Sequence, residues 1–160
     1  MRVKAGPGWA STYLPAIGPG DVALDPAQQF AVHQVLARYA FALDQHDLQA
    51  LGGVLTEDAT WAIRIADDSE LGPVVGREAI LQFVQAAIDA QTDQQRHHLV
   101  NVTLHSADTD KALVHAYLML TSNAGGDSGV IATGFYTFGL ERSQGHWRIA
   151  KLFLGTDNAW

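Results

Sequence analysis

The chain has 160 residues, 48% of them hydrophobic and 17% charged, and ten basic against seventeen acidic side chains give a net charge of −7. That balance fits one globular domain with a sizeable core, and it disfavours phosphate backbones and anionic lipid surfaces as partners, so neither nucleic acid nor membrane is expected. The absence of cysteine excludes disulfides, thiolate metal sites and cysteine nucleophiles, and it fits a cytoplasmic protein.

Residues 1–25 are dense in glycine and proline yet hold Trp9, Tyr13, Leu14 and Ile17. They read as an extended arm that docks on the body or on a neighbouring subunit. The segment lacks the continuous apolar run of a signal peptide, and no stretch reaches transmembrane length. A single domain is expected over residues 26–160. It opens on a helix with Asp25 as N-cap and Pro26 in the first turn. Val32, Val35, Leu36, Tyr39 and Leu43 recur on it at helical spacing. After "DQHD" a short second helix follows, capped by Asp47 and ending near Gly52 and Gly53.

"ATWAIRIA" alternates and is rich in β-formers, so it reads as a strand. "DDSELGPVVG" reads as a loop with at most a short extended piece. "REAILQFVQAAIDA" is the clearest helix, with Ile80, Phe83, Val84, Ala87 and Ile88 on one stripe. From residue 96 onward the pattern is β throughout: "RHHLVNVTLHSA", "KALVHAYLMLTS", "GVIATGFYTFGLER" and "HWRIAKLFLGT", joined by short turns suited to antiparallel hairpins. Helices first and a strand meander after them argue α+β. The sheet needs cover for its apolar face, so the helices lie across it and close a hollow.

Asp44 stands where the first helix should stop, although the negative end of a helix prefers cations. It lies about 140° around an ideal helix from Tyr39, so a shared cavity requires Asp44 to depart from the regular screw. In "RHHLVNV" a strand puts His97, Leu99 and Asn101 on one face and His98, Val100 and Val102 on the other. Only one histidine can look inward. His97 is the better candidate because it shares its face with Asn101, although alternation alone leaves both faces open. Adjacent histidines on a strand diverge and no third ligand is suitably spaced, so no metal is expected. Trp61, Tyr117, Phe135, Tyr136 and Phe138 sit on strands and are candidates to line a pocket for a flat apolar ligand, with Trp61, Tyr117 and Phe135 chosen as substrate-binding residues. Arg96 can clamp a substrate anion. There is no phosphate-cradling loop and no nucleophile elbow.

"VLARYAFALDQHDLQALGGVLTEDATW", "GREAILQFV", "RHHLVNV" and "GFYTFGLERSQGHWRIAKLFLGTDN" together resemble the SnoaL-like branch of the nuclear-transport-factor-2-like superfamily, over roughly residues 26–158. The resemblance implies a cone-shaped, curved antiparallel sheet covered by three N-terminal helices around an apolar pocket, the cystatin-like α+β barrel. It also implies homodimers or homotrimers. Dehydratases of this branch take a Tyr and an Asp from the first helix and a His from the strand after the third. Tyr39, Asp44 and His97 match those positions, with the spacing of the bile acid 7α-dehydratase type. The second histidine of the scytalone type has no counterpart here.

The implied function is a cofactor-independent dehydratase acting on an apolar cyclic hydroxy-carbonyl compound, such as a polyketide or steroid-like molecule. His97 would act as general base and acid, Asp44 would orient it, Tyr39 would donate to the developing enolate oxygen, and Asn101 would position substrate. The same parts suit an isomerase or a polyketide-type cyclase. The branch also contains non-catalytic ligand-binding proteins and small subunits of ring-hydroxylating oxygenases.

Overall fold

The structure, a computed structural model, describes residues 23–66 and 69–159. Apart from its last residues, the expected N-terminal arm lies outside the described residues. Asp25 caps α1 (Pro26–Asp44) by accepting from the Gln28 backbone at 2.8 Å. Asp47 caps α2 (Leu48–Gly53) in the same way through Ala50. The remaining elements are β1 (Leu55–Ile65), β2 (Ser69–Val75), α3 (Arg77–Ala90), β3 (Gln94–Ala107), β4 (Lys111–Ala124), β5 (Asp127–Ser143) and β6 (His146–Thr156).

The six strands form one curved, open sheet in the order β2-β1-β6-β5-β4-β3. It is antiparallel except where β1 runs parallel to β6. No hairpin joins those two strands, so no turn dictates their direction. The segment read from sequence as a loop is strand β2. Its Pro73 is tolerated because β2 is an edge strand, where a missing N–H breaks no inner ladder.

The inner sheet face carries Val114, Ala116, Leu118 and Leu120 of β4, Tyr136, Phe138 and Leu140 of β5, and Ile149, Leu152 and Leu154 of β6, all buried. Val32, Val35, Leu36 and Tyr39 of α1 pack onto this face, and burying a Leu or Phe side chain there contributes about 1.5–3 kcal/mol. Polar ties set the helix positions. Trp147 Nε1 donates to Gln28 Oε1 at 2.9 Å, and Arg77 Nη2 donates to the Leu55 carbonyl at 2.9 Å. α3 buries Ile80 and Val84 and leaves Phe83, Ala87 and Ile88 along a hollow between helix and sheet.

Candidate active site

α1 contributes two polar groups. Tyr39, 1% exposed, lies on the buried stripe and meets Trp61, Tyr136 and Phe138 edge to face, at ring-centroid distances of 6.5, 6.1 and 5.7 Å. Its hydroxyl is buried and makes no hydrogen bond of acceptable geometry. Burial, reinforced by the neighbouring Tyr136 phenol, pushes its pKa well above the ordinary tyrosine value. Burial also raises the pKa of Tyr136. Both phenols are therefore hydrogen-bond donors throughout the physiological range.

Asp44 is the last helical residue of α1. His46 follows in the left-handed region at φ 56° and closes a Schellman motif, in which the His46 N–H bonds to the Leu43 carbonyl and the Asp47 N–H to the Ala42 carbonyl. Asp44 does not leave the screw, as the sequence reading required; β3 comes to it. The Asp44 backbone carbonyl accepts from Gln94 Nε2 at 3.1 Å and from Arg96 Nη1 at 3.4 Å, so a guanidinium sits at the negative helix end. The Asp44 carboxylate in turn accepts from the His97 backbone N–H, at 3.0 Å to Oδ1 and 3.2 Å to Oδ2. Oδ1 also lies 2.7 Å from His97 Nδ1.

The pair is largely enclosed, with 10% of the Asp44 side chain and 17% of the His97 side chain exposed. A carboxylate accepts only, so Nδ1 carries the proton in this pair. Nε2 makes no hydrogen bond to the described residues and is the basic atom left for the hollow. His97 and Tyr39 line that hollow; Asp44 stands behind His97 and does not.

The cavity measures about 800 Å³. Its walls are mainly apolar, from Leu43, Trp61, Ile63, Phe83, Leu120 and Leu154, with Tyr39, Tyr136 and His97 as inward polar groups. Gln91, Thr92, Asp93 and Gln95 add a polar strip from the α3–β3 connection. A pocket of this size and lining suits a compact, mostly apolar small molecule. Among the described residues, no cluster of three or more His, Cys, Asp or Glu could hold a metal ion, and no helix is long and apolar enough to cross a membrane.

Of the residues singled out from sequence, Tyr39, Trp61 and His97 line the cavity and Asp44 supports it. Asn101, Tyr117, Phe135 and Arg96 lie elsewhere. Asn101 is exposed, because it and Val102 together oppose the single residue Ala116 in a β-bulge, with Asn101 at φ 53°. The extra residue turns Val102 inward and Asn101 out. Tyr117 and Phe135, paired across β4 and β5, sit on the outer sheet face with their rings 5.8 Å apart. The inward neighbour of Phe135, Tyr136, also among the strand aromatics read from sequence, lines the cavity, while Phe138 packs in the core; the apolar run Tyr136, Phe138, Leu140 against Phe135, Thr137, Gly139 was the signal that separated the two faces. Arg96 bonds to the carbonyls of Asp44 and Gln95 and does not line the cavity, so it clamps no ligand there. His115, also on the outer face, is buried beside Phe135 and makes a 3.2 Å contact with Thr137 Oγ1.

The fold and family agree with known proteins. A cystatin-like protein of unknown function from Nostoc punctiforme superposes with a TM-score of 0.72 at 18% identity, covering 84% of this chain and 94% of that one. The β subunit of a provisionally assigned aromatic-ring-hydroxylating dioxygenase from Novosphingobium aromaticivorans gives 0.71 at 16% identity, covering 84% and 92%. A provisionally assigned scytalone dehydratase from the same organism gives 0.66 at 18% identity, covering 81% and 84%. A search of curated proteins finds no match to the sequence. The family profile described as a SnoaL-like domain matches residues 27–152. The chain belongs to the SnoaL-like domain family.

Proposed function

We propose that this protein is a cofactor-independent lyase that dehydrates an apolar cyclic hydroxy-carbonyl compound. The observation that carries the reading is the 2.7 Å contact between Asp44 Oδ1 and His97 Nδ1, which leaves Nε2 toward an apolar cavity. His97 Nε2 takes the proton from the carbon beside the carbonyl as the C–H electron pair forms the enolate. The buried Tyr39 hydroxyl, kept protonated beside the Tyr136 phenol, donates to the enolate oxygen. Asp44 stabilises the imidazolium without taking its proton. The imidazolium then gives its proton to the β-hydroxyl, the C–O bond breaks, a C=C bond forms and water leaves. Asp44 and Tyr39 reach this chemistry from one helix, and His97 comes from the strand packed against it.

Similarity to a provisionally assigned scytalone dehydratase supports the same class. The test is turnover of a cyclic β-hydroxy-ketone, 3-hydroxy-1-tetralone, whose loss of water and tautomerisation give 1-naphthol. Wild type forms the naphthol and His97→Gln does not. Equal rates in the two would remove His97 from the reaction, and isomerised or cyclised products from other ketones would assign the same base to a different bond change. A subunit role, as in the oxygenase relative, is favoured by the outer-face exposure of Val100 and Tyr117. The open cavity weighs against it.

A further inference from the structure

We propose that Asp93 makes the cavity selective for uncharged ligands that carry a hydroxyl donor, excluding carboxylates and phosphate esters. The proposal rests on the cavity being the ligand site, as the proposed function requires, and adds the charge class of what enters.

Among the described residues the lining contains no lysine or arginine. The one carboxylate among the described lining residues belongs to Asp93, on the connection between α3 and β3. The exposed lining residues Leu71, Ala90 and Thr92 mark the opening, so Asp93 stands near the mouth. Its carboxylate is held from two sides. Gln95 Nε2 donates to Oδ1 at 3.2 Å and Oδ2 at 3.4 Å, and Ser122 Oγ donates to Oδ2 from β4. Gln91 Nε2 fixes the Asp93 carbonyl at 2.7 Å.

A carboxylate has about four lone-pair sites, and these partners leave acceptor capacity for a ligand hydroxyl. Ser122 and Gln95 hold the group in place without neutralising it, because neither carries charge. An anion entering the cavity meets a fixed negative charge, no cation among the described lining residues, and a chain of net charge −7. A neutral alcohol or phenol instead finds a preformed acceptor near the mouth and the buried, protonated Tyr39 hydroxyl deeper in.

Calorimetric titration with two ligands of one ring system, 2-naphthol and 2-naphthoate, tests this without turnover. Wild type binds naphthol at least roughly tenfold more tightly than naphthoate, the scale of like-charge repulsion across a partly wet site. Asp93→Asn closes most of that gap by raising naphthoate affinity. Thr92→Lys, at an exposed position on the same rim, raises naphthoate affinity with Asp93 intact, so the charge logic is tested even if the Asn variant misfolds. The proposal is overturned by naphthoate binding as tightly as naphthol to wild type, by no naphthol binding at all, or by an affinity gap that both substitutions leave unchanged. Asp93-dependent selectivity with no hydroxy-ketone turnover would sink the lyase reading and leave this one standing. His97-dependent turnover with a gap indifferent to Asp93 would do the reverse.

Discussion

The Asp44 carboxylate holds His97 at both ends of the residue, with Oδ1 2.7 Å from the ring Nδ1 and 3.0 Å from the backbone nitrogen. One side chain thus fixes the ring's tautomer and the place of its strand. The two jobs separate by substitution. Asp44→Asn keeps an oxygen for the backbone N–H but removes the charge that steadies an imidazolium. It is expected to fold and to lose roughly 10²–10⁴-fold in kcat. Asp44→Ala also strands a part-buried N–H, adding about 1–3 kcal/mol of destabilisation. Paired turnover and urea-denaturation measurements on both variants check this; equal stability of the two would show that the backbone contact contributes nothing.

Tyr39 carries the opposite signature. Its hydroxyl is buried beside the Tyr136 phenol with no hydrogen bond of good geometry, so folding strips it of water with little return. Tyr39→Phe is expected to leave stability unchanged or raise it by about 1 kcal/mol, while kcat falls roughly 10²–10³-fold through loss of the oxyanion donor. Denaturation midpoints and kcat on the same preparation test the pairing. Marked destabilisation would mean the hydroxyl has a structural role.

The two buried tyrosines also predict a pH response. Their folded pKa values are raised by burial, above an unfolded value of about 10. Below that pH both states are protonated and stability is unaffected. Above it the unfolded chain releases protons that the folded chain keeps, so stability falls as pH rises. Each tyrosine contributes a slope of at most about 1.4 kcal/mol per pH unit. Tyr39→Phe therefore has a shallower loss of stability between pH 10 and 11 than wild type. Parallel slopes in the two would contradict the account.

Gly134 in β5 provides a packing test away from the polar groups. An added Cβ there would lie 2.5 Å from the Gly155 carbonyl oxygen and 3.1 Å from Thr156 Cα, both backbone atoms of β6. Gly134→Ala is expected to cost about 1–3 kcal/mol because the strands must move apart. Thermal or urea denaturation reads it directly, and a stable alanine variant would mean the β5–β6 ladder is looser than described.

Much of this was legible in the sequence because period and caps act locally. Asp25, Pro26 and Asp47 mark helix starts through bonds within one turn, and the stripe on α3 faces the hollow as its spacing implies. Parity along β3 was not legible past Val100, because the bulge at Asn101 inserts one residue and nothing short of its partner Ala116 reveals it. Phe135 and Tyr136 are both large aromatics, so size did not separate the outer face from the inner one. The approach of Asp44 to His97 spans 53 positions and depends on where β3 crosses the end of α1. A helical wheel contains no such information. Asp93 carried no recognisable motif, and its place at the cavity depends on Gln95 and Ser122 holding it there.

In the proposed function, proton abstraction by His97 is the step from which the rest of the chemistry follows, and deuterium exchange from D₂O into the carbon beside the carbonyl reads it without requiring any group to leave. Followed by NMR on 3-hydroxy-1-tetralone and on 1-tetralone, which has no hydroxyl to lose, wild type is expected to speed washing-in of deuterium well above the buffer rate. His97→Gln is expected to return it to that rate. Exchange by His97→Gln as fast as by wild type would contradict the account.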